Sequence, residues 1–349
     1  MSTPSEVLST PGSDVQARRP ATEVTLTRVG VRGLEKVIWV GPGAAGNGPD
    51  AASDHYFAEL ECFVDLDPSQ AGVHMSRFEE IVNEAIDSAV LGETLRAEAL
   101  AADVARAVLE RQDGMRAEVT IAARYPETVP APVSGLPTQE IYTLLGTAVA
   151  SRRGTRTLTG VEAQGMTACP CAQDLVAGRA RERLVEQGFS EDEIARVFES
   201  VPVATHNQRG IGSLRIGCPE GAAVDVDARD LLHIVEESMS SEIYELMKRS
   251  DEVAVVEKAH RRPRFVEDCV REMVRSVAER YPELRDGGFI LARQENLETI
   301  HRHSVVAERS GLMSEVLTEL SSGERSAHHT TEREWLEAPC GPEPDSASA

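Results

Sequence analysis

The sequence predicts an α+β fold built from two similar modules. Residues 24–40 are rich in β-branched side chains, and residues 57–67 alternate apolar with acidic ones, as half-buried strands do. Residues 76–86 and 94–111 instead repeat apolar side chains at helical spacing. A strand pair that leads into a helix occurs twice, at 22–87 and 138–186, and this recurrence indicates an internal repeat.

The remaining elements follow from the same patterns. We expect helices at 171–187, 190–200, 228–239 and 264–281, and strands at 116–126, 140–152, 156–168, 211–217, 252–259, 287–296 and 298–308. Ser190 and Glu193 have the spacing of a capping box, which begins the second of these helices. The predicted organisation is a flexible arm (1–21), a first module (22–130), a second module (131–312) that carries most of the active site, and a disordered acidic tail (321–349).

Composition excludes several classes of protein. Hydrophobic residues make up 41% of the 349 residues, which permits a packed core, and the net charge of −22 argues against nucleic-acid binding. No apolar run approaches the ~20 residues that a membrane helix needs, so no membrane partner is expected. The six cysteines are too few and too scattered for a disulfide framework. We therefore expect a cytoplasmic protein.

The segment GMTACPCAQ (165–173) is the first candidate site. Pro170 ends the preceding strand, so Cys169 and Cys171 lie where a strand gives way to a helix. A thiolate near a helix N-terminus has a lowered pKa and is a good metal ligand. Two cysteines cannot complete a tetrahedral metal site, and two small residues packed at a corner would account equally well for this spacing.

The segment ATHNQRG (204–210) is the second candidate. A neutral imidazole such as that of His206, in a polar loop before a strand, can bind a divalent metal. Arg209 has the guanidinium geometry that binds phosphate. An ordinary polar surface loop would have the same composition.

A third candidate lies in residues 237–262. In a chain of charge −22, this stretch gathers an unexpected positive cluster that suits a phosphate-bearing ligand: Lys248, Arg249, Lys258, His260, Arg261 and Arg262. Glu242 lies nearby, and Glu257 falls in a predicted apolar strand, where burial raises the pKa of a carboxyl group. A solvated helix end with ordinary ion pairs is the alternative.

The fourth candidate is ENLETIHRHSVV (295–306). His301 and His303 lie two residues apart in a predicted strand, so their side chains project to the same side. Glu298 has the opposite parity and needs a turn or bulge to join them. Two histidines on a wet strand face are the alternative.

Taken in order, these motifs resemble one known family. GVHMSR, GMTACPCAQ, THNQRG, SSEIYELMKRSDE with VVEKAH, RFVEDCVREM and LETIHRH are similar to the bacterial and archaeal GTP cyclohydrolases of the tunnelling fold, over about residues 22–310. The 34 residues between Cys171 and His206 resemble the archaeal-type branch, GTP cyclohydrolase IV, because the bacterial type IB enzymes have a short spacer there.

The resemblance implies a fold and an activity. The fold would be two tandem tunnelling-fold modules, with antiparallel sheets backed by helix pairs, that assemble into the barrel of a homo-oligomer (dimer or tetramer) with sites at subunit interfaces. The substrate would be GTP, and the products 7,8-dihydroneopterin 2′,3′-cyclic phosphate, formate and pyrophosphate. The metal would be Fe(II), with Zn(II) or Mn(II) possible. The type IB alternative would give 7,8-dihydroneopterin triphosphate.

The resemblance also implies roles for particular residues. Cys169 and His206 would be metal ligands, with Glu242 as a third and His301 or His303 completing or adjoining the shell. Glu257 and Glu298 would anchor the purine and transfer protons, in an order that the motifs leave open. One of the two histidines would protonate the departing ring nitrogen. Charge alone suggests five residues for the phosphates: Arg209, Lys248, Arg249, Lys258 and Arg261.

Two other functions fit parts of the sequence. A non-catalytic metal-binding homologue would have a closed four-ligand shell, and the additional glutamates and histidines argue against it. A tunnelling-fold enzyme acting on another purine or pterin would keep a purine-anchoring glutamate, but it should lack the Cys169–His206 pair.

Overall fold

One antiparallel sheet runs through the part of the chain that the computed structural model describes, residues 15–40, 54–88, 96–218 and 224–338. Its spatial order is β1-β2-β3-β4-β5-β6-β8-β9, and the short β7 pairs with β5. The strands are β1 (Leu26–Val40), β2 (Asp54–Leu66), β3 (Arg116–Pro130), β4 (Pro137–Ser151), β5 (Gly154–Ala168), β6 (Asn207–Cys218), β7 (Ser241–Glu242), β8 (Phe289–Leu297) and β9 (Val305–Leu312).

Most of the helices cover one face of this sheet. They are α1 (Met75–Ser88), α2 (Ala97–Arg111), α3 (Pro170–Glu186), α4 (Glu191–Ser200), α5 (Ala228–Ser238), α6 (Arg249–Arg261), α7 (Val266–Arg280), α8 (Met313–Ser322) and α9 (Glu332–Glu337). Helix α2 packs on β3, β4 and β5, whereas α5 packs on β5 and β6, and α7 on β8 and β9. The main hydrophobic core lies between these helices and the sheet. We call the other face of the sheet the open face.

The order of the elements repeats, as the sequence predicts for an α+β fold. β1-β2-α1-α2-β3-β4 is followed by β5-β6-α5-α7-β8-β9, with α3 and α4 inserted after β5, and β7 and α6 after α5. The predicted boundary at 130/131 is wrong in position. It falls inside a hairpin, because β3 and β4 pair without interruption from Arg116↔Ser151 to Pro130↔Pro137. Assembly into a barrel remains a prediction.

The strand predicted at 252–259 is wrong, because these residues belong to helix α6. Val255 and Ala259, four residues apart, are buried on one face of the helix. Val253 and Val256 are 64% and 52% exposed, which the alternating pattern of a strand does not explain. In the sequence alone, the three valines and two alanines of residues 252–259 fit both periods, and the contacts around Asp251 decide for the helix.

Asp251 fixes the start of α6 against the β3–β4 turn. Its carboxylate accepts hydrogen bonds from the backbone N–H groups of Val133 and Ser134 at 2.8 Å, from the Ser134 hydroxyl at 2.7 Å, and from the backbone N–H of Lys248 at 2.8 Å. Burial raises the pKa of this carboxyl group, but the hydrogen bonds from Ser134, Lys248 and Val133 lower it more, so the pKa lies well below its usual range.

The strand predicted at 298–308 begins only at Val305. Residues 298–304 form an irregular connection after β8, in which the Thr299 hydroxyl donates to the Asn207 carbonyl at 3.0 Å. His301 and His303 therefore lie in a loop and not in a strand, and both are exposed.

The chain ends are structured further than predicted. Of the arm predicted at 1–21, the described part begins at Val15, and Ala71 N–H donates to the carbonyls of Gln16 and Arg18 at 3.0 and 2.8 Å. The disorder predicted from residue 321 is wrong as far as residue 338, because α9 lies on the open face. Residues 1–14 and 339–349 lie outside the described residues. None of the described helices is both long and apolar enough to cross a membrane.

Trp335 anchors α9. It is 2% exposed, stacks on Phe289 with ring centroids 5.6 Å apart, and donates from Nε1 to the Gly287 carbonyl at 3.1 Å. The Arg156 guanidinium lies 4.6 Å from its ring centroid, and Arg156 Nε donates to the Ala338 carbonyl at 3.0 Å. Trp335, an apolar residue in an otherwise polar C-terminal segment, thus completes a small second hydrophobic core.

We expect Trp335→Ala to reduce the free energy of unfolding by about 3 kcal/mol, because it empties a buried aromatic site. Urea denaturation monitored by circular dichroism measures this change. Arg333→Ala is the matched control, since the Arg333 side chain is 76% exposed on the same helix. Equal stability of the two variants would contradict the anchoring role.

We expect Asp251→Asn to lower the melting temperature most near pH 7. A carboxyl group whose pKa is depressed on folding stabilises the protein above its unfolded pKa of about 3.9 and loses that effect as the pH falls toward the folded value. The difference in melting temperature between wild type and Asp251→Asn should therefore shrink below about pH 4. Glu252→Gln, an exposed neighbour on α6, should show no such difference, and a pH-independent gap would refute the assignment.

Candidate active site

The ends of three long strands meet at one edge of the sheet. β5 ends with Ala168 opposite Asn207, the first residue of β6. Arg209 of β6 lies opposite Leu297, the last residue of β8. β7 places Glu242 beside the same end of β5. Directly opposite residues of an antiparallel pair project to the same face. Thr167 and Gln208 therefore share the helix-covered face with Glu242, whereas Arg209 and Leu297 share the open face.

The structure brings the segments of Cys169 and His206 together. Cys169 directly follows β5 and is the N-cap of α3, with Pro170 at the first helical position. Its backbone N–H donates to the His206 carbonyl at 3.1 Å, and the Thr205 hydroxyl donates to the Cys169 carbonyl at 2.8 Å. Cys171, two residues further, is exposed at the start of the helix.

Gln208 orients the imidazole of His206. Its amide nitrogen donates to the Thr167 hydroxyl at 3.0 Å, which turns its oxygen toward His206 Nδ1, 3.0 Å away. With the Gln208 oxygen as acceptor, Nδ1 is the donor of this hydrogen bond, which leaves the lone pair of Nε2 for a metal or a hydrogen-bond donor. Sequence reasoning missed Gln208 and Thr167, although Gln208 lies two residues after His206 and so shares its face.

Glu298 lies beside the same imidazole. Its Oε2 is 3.7 Å from His206 Nδ1, and the side chain is 8% exposed. Within the described part of the chain this oxygen is buried without a hydrogen-bond partner. A buried carboxylate oxygen without a partner is costly, so this position suits a cation or a proton donor.

The donor atoms at this edge fit a divalent transition metal. Thiolate, imidazole and carboxylate are the ligands that Zn(II) and Fe(II) accept, and the unpartnered Glu298 oxygen beside His206 is where positive charge would be stabilised. In the ranges that the structure describes, no three His, Cys, Asp or Glu side chains are already arranged to hold an ion. The set predicted from the resemblance is therefore not preassembled.

Glu242 is paired with Lys258. The Lys258 ammonium lies 2.7 and 2.8 Å from the two Glu242 oxygens and 3.4 Å from Glu237. The structure thus joins a predicted metal ligand to a predicted phosphate-binding residue. For Glu242 to bind a metal, this ion pair has to open.

Glu236 is a further carboxyl group that sequence reasoning missed. Burial raises its pKa to about 7, the Tyr142 hydroxyl that donates to it at 2.8 Å lowers the pKa, and the charge of Glu242 adds to the rise. A carboxyl group that exchanges a proton near neutrality thus lies close to Glu242.

Glu257 does not lie in the buried strand that the sequence predicts for it. It is on α6 with its side chain 46% exposed, so the burial expected from a strand does not apply. Arg261 donates to its Oε1 from Nε at 3.0 Å and from Nη2 at 2.9 Å, and it also donates to the carbonyls of Glu199 and Ser200. Arg261 therefore ties α6 to the end of α4.

The two loop histidines stack on each other. The rings of His301 and His303 are 5.1 Å apart between centroids, with their planes inclined by 14°. They follow Glu298 within five residues, so their loop begins at the edge that carries His206.

The predicted phosphate-binding residues are not gathered in one place. Arg209 is exposed and alternates with the buried Gln208, so it projects to the open face, away from His206. Lys248 and Arg249 are exposed at the start of α6. Lys258 and Arg261 are held in the ion pairs described above.

Comparison with known proteins relates this chain to one family. Residues 13–307 match a family model described as type I GTP cyclohydrolase folE2. The chain is 40% identical over 313 residues to GTP cyclohydrolase MptA of Methanococcus aeolicus, covering 88% of this chain and 99% of that protein. It is 37% identical over 316 residues to GTP cyclohydrolase MptA of Methanocaldococcus jannaschii, covering 89% of this chain and 98% of that protein.

The fold also resembles that of a solved structure. Uricase from Arthrobacter globiformis aligns with a TM-score of 0.50 at 12% identity, over 88% of this chain and 98% of that chain. At that identity the likeness concerns the fold alone, and it agrees with an architecture of the tunnelling-fold kind.

We expect Gln208→Leu to weaken the binding of Zn(II) or Co(II) by about 10- to 100-fold, because the imidazole of His206 loses the partner that fixes its orientation. Equilibrium dialysis of the metal-free protein measures the dissociation constant. Gln164→Leu is the matched control, since Gln164 is an exposed glutamine on β5. Unchanged affinity in Gln208→Leu would show that Gln208 does not orient a ligand.

Proposed function

Since the chain belongs to the GTP cyclohydrolase family that includes MptA and folE2, we propose that it hydrolyses GTP with opening of the purine ring and loss of formate, as a step of pterin biosynthesis. We propose 7,8-dihydroneopterin 2′,3′-cyclic phosphate and pyrophosphate as the other products. The observation that carries the proposal is the Cys169–His206 pair, with Gln208 and Glu298 arranged around its imidazole.

A divalent metal, Fe(II) in our proposal and Zn(II) or Mn(II) as alternatives, would be held by Cys169 and His206. Glu242 would join them once its ion pair with Lys258 opens, and His301 would complete or adjoin the shell. Such an ion supplies Lewis acidity that activates water near neutral pH. The hydrogen bond from Nδ1 to Gln208 keeps His206 in the tautomer whose Nε2 can bind it.

Opening the imidazole ring of GTP requires water to add at C8 and a proton to reach the departing ring nitrogen. Glu298 is suited to proton transfer, because its Oε2 lies against His206 and has no hydrogen-bond partner in the described chain. His301 or His303 would deliver the proton to the ring nitrogen. The carboxyl group of Glu236, with its pKa near 7, can hold a proton close to Glu242.

Glu257 is the better candidate for the purine. A carboxylate binds guanine by accepting hydrogen bonds from N1–H and the 2-amino group, which requires an accessible oxygen. The Glu257 side chain is 46% exposed, and both bonds from Arg261 end on Oε1. Lys248 and Arg249, exposed at the start of α6 eight or more residues before Glu257, would meet the phosphates together with the exposed Arg209. Lys258 and Arg261 would join them where their present ion pairs open.

The proposed enzyme works as a homo-oligomer, a dimer or tetramer with sites at subunit interfaces. Helix α3 has no buried residue and leaves Leu175 and Val176, within two turns of Cys169, and Val185, near its other end, exposed. Apolar side chains left exposed on a helix that buries none of its residues are typical of a surface that a second copy covers. The described cysteines are free thiols, which favours the reducing cytoplasm.

The products of anaerobic incubation with GTP and Fe(II), Zn(II) or Mn(II), identified by mass, test the proposal. We expect formate and the cyclic phosphate. Formate with a retained triphosphate would assign the type IB product. Metal binding without formate or pterin under any metal would leave a non-catalytic homologue and overturn the proposal.

We expect Cys169→Ala to lower both metal content and formate release by more than about 100-fold, because it removes a proposed ligand. Metal analysis and a formate assay measure the two effects. Cys218→Ala is the matched control: Cys218 is a half-buried thiol at the opposite end of β6, and burial raises its pKa to about 11. Full metal content in Cys169→Ala would refute the assignment.

A further inference from the structure

The side-chain amide of Gln173 joins three separate segments at the edge of the site. Gln173 lies in the first turn of α3, where its backbone N–H donates to the Cys169 carbonyl. Its Nε2 donates to the Val203 carbonyl at 2.7 Å and to the His260 carbonyl at 2.6 Å. Both hydrogens of one amide group are therefore used, on carbonyls from two different parts of the chain.

Each of these segments carries a residue of the proposed active site. Helix α3 begins at Cys169, and Val203 lies three residues before His206 in the connection to β6. His260 lies three residues after Glu257 on α6. The Gln173 amide thus ties the thiol to the imidazole on one side and to the exposed carboxylate on the other.

Two main-chain hydrogen bonds near Gln173 would transmit a displacement of one segment to the others. Cys169 N–H donates to the His206 carbonyl at 3.1 Å, and Arg264 N–H donates to the Ala168 carbonyl at 3.0 Å. These two bonds join the same three segments through the main chain. Without the Gln173 amide, the 201–206 connection would keep its two hydrogen bonds to Cys169, and the segment after α6 would keep the bond from Arg264 to Ala168, but the hydrogen bonds from Gln173 to Val203 and His260 would be lost.

We propose that Gln173 is a positioning residue that sets the distance between Cys169, His206 and Glu257. This proposal rests on the proposed function, because it concerns the same site. Gln173 acts through its donors, since both partners are carbonyl oxygens that accept hydrogen bonds. A side chain that donates can therefore replace it, whereas an apolar or anionic one cannot.

Three substitutions separate these requirements. Gln173→Leu removes both donors at similar size, and Gln173→Glu opposes two carbonyls with a carboxylate. Gln173→Lys keeps donors on an ammonium group that can reach both acceptors. Gln187→Leu is the matched control, because Gln187 is an exposed glutamine at the other end of α3.

The experiment compares these full-length variants with wild type by titration of the metal-free protein with Co(II), by hydrogen exchange, by thermal unfolding, and by kcat and KM for GTP. The thiolate-to-Co(II) absorption band reports Cys169 directly. We expect Gln173→Leu and Gln173→Glu to raise the Co(II) dissociation constant by about 10-fold or more and to lower kcat. Exchange should rise in peptides covering 201–206 and 259–264, and the melting temperature should fall by less than about 4 °C.

Gln173→Lys should restore the Co(II) affinity, the absorption band and the slow exchange to near wild-type values, and Gln187→Leu should not change them. A lower melting temperature in Gln173→Leu without weaker Co(II) binding would mean a merely structural role and would overturn the proposal. Failure of Gln173→Lys to restore these properties would overturn it as well.

The result for wild type distinguishes the two proposals. Wild type that converts GTP and binds Co(II), alongside an unaffected Gln173→Leu, refutes only the positioning role. Wild type that neither converts GTP nor binds Co(II) refutes the proposed function. In that case hydrogen exchange decides alone: faster exchange confined to 201–206 and 259–264 supports the tie between segments, and unchanged exchange refutes it.

Discussion

The register of β5 against β6 is the constraint on which the site depends. Because Ala168 pairs with Asn207, Cys169 (directly after Ala168) lies opposite His206 (directly before Asn207). The Cys169 N–H donates to the His206 carbonyl. The same register places Thr167 opposite Gln208, so the bond that orients the imidazole follows from the pairing. If the register of β6 against β5 shifted by one residue, the side chains of His206 and Gln208 would project to the open face and the site would not form.

Cationic side chains hold the segment that leads to Glu242. Arg262 donates to the Met239 carbonyl at 2.9 Å, and Arg264 donates to the Ser238 carbonyl at 2.9 Å. Lys258 forms an ion pair with the Glu242 carboxylate itself. Part of the positive cluster is therefore used inside the protein, where it offsets repulsion among neighbouring glutamates, in addition to any role toward a phosphate-bearing ligand.

The sequence was sufficient for elements whose pattern is local, and insufficient where a distant contact decides. The strand before Cys169, the helix after it and the capping box at Ser190 are as expected. The valines of α6 fit both periods, so the local pattern does not identify this helix, and the carboxylate of Asp251 selects it by binding a turn 117 residues away. Trp335 likewise orders a polar tail through contacts with distant strands. In the site, motifs pointed to Cys169 and His206, but the raised pKa of Glu236 depends on burial and on Tyr142, which no local pattern reveals.

The alternation along β6 also limits what one chain can do at this edge. His206, Gln208 and the Thr167 partner share the helix-covered side, whereas Arg209 projects to the open face. Because the backbone separates the two faces of a sheet, a ligand that contacts both the His206 imidazole and the Arg209 guanidinium has to pass around the end of β6. If Arg209 meets phosphate, as proposed, the phosphate chain therefore reaches the open face while the reacting part of the nucleotide stays on the side of His206.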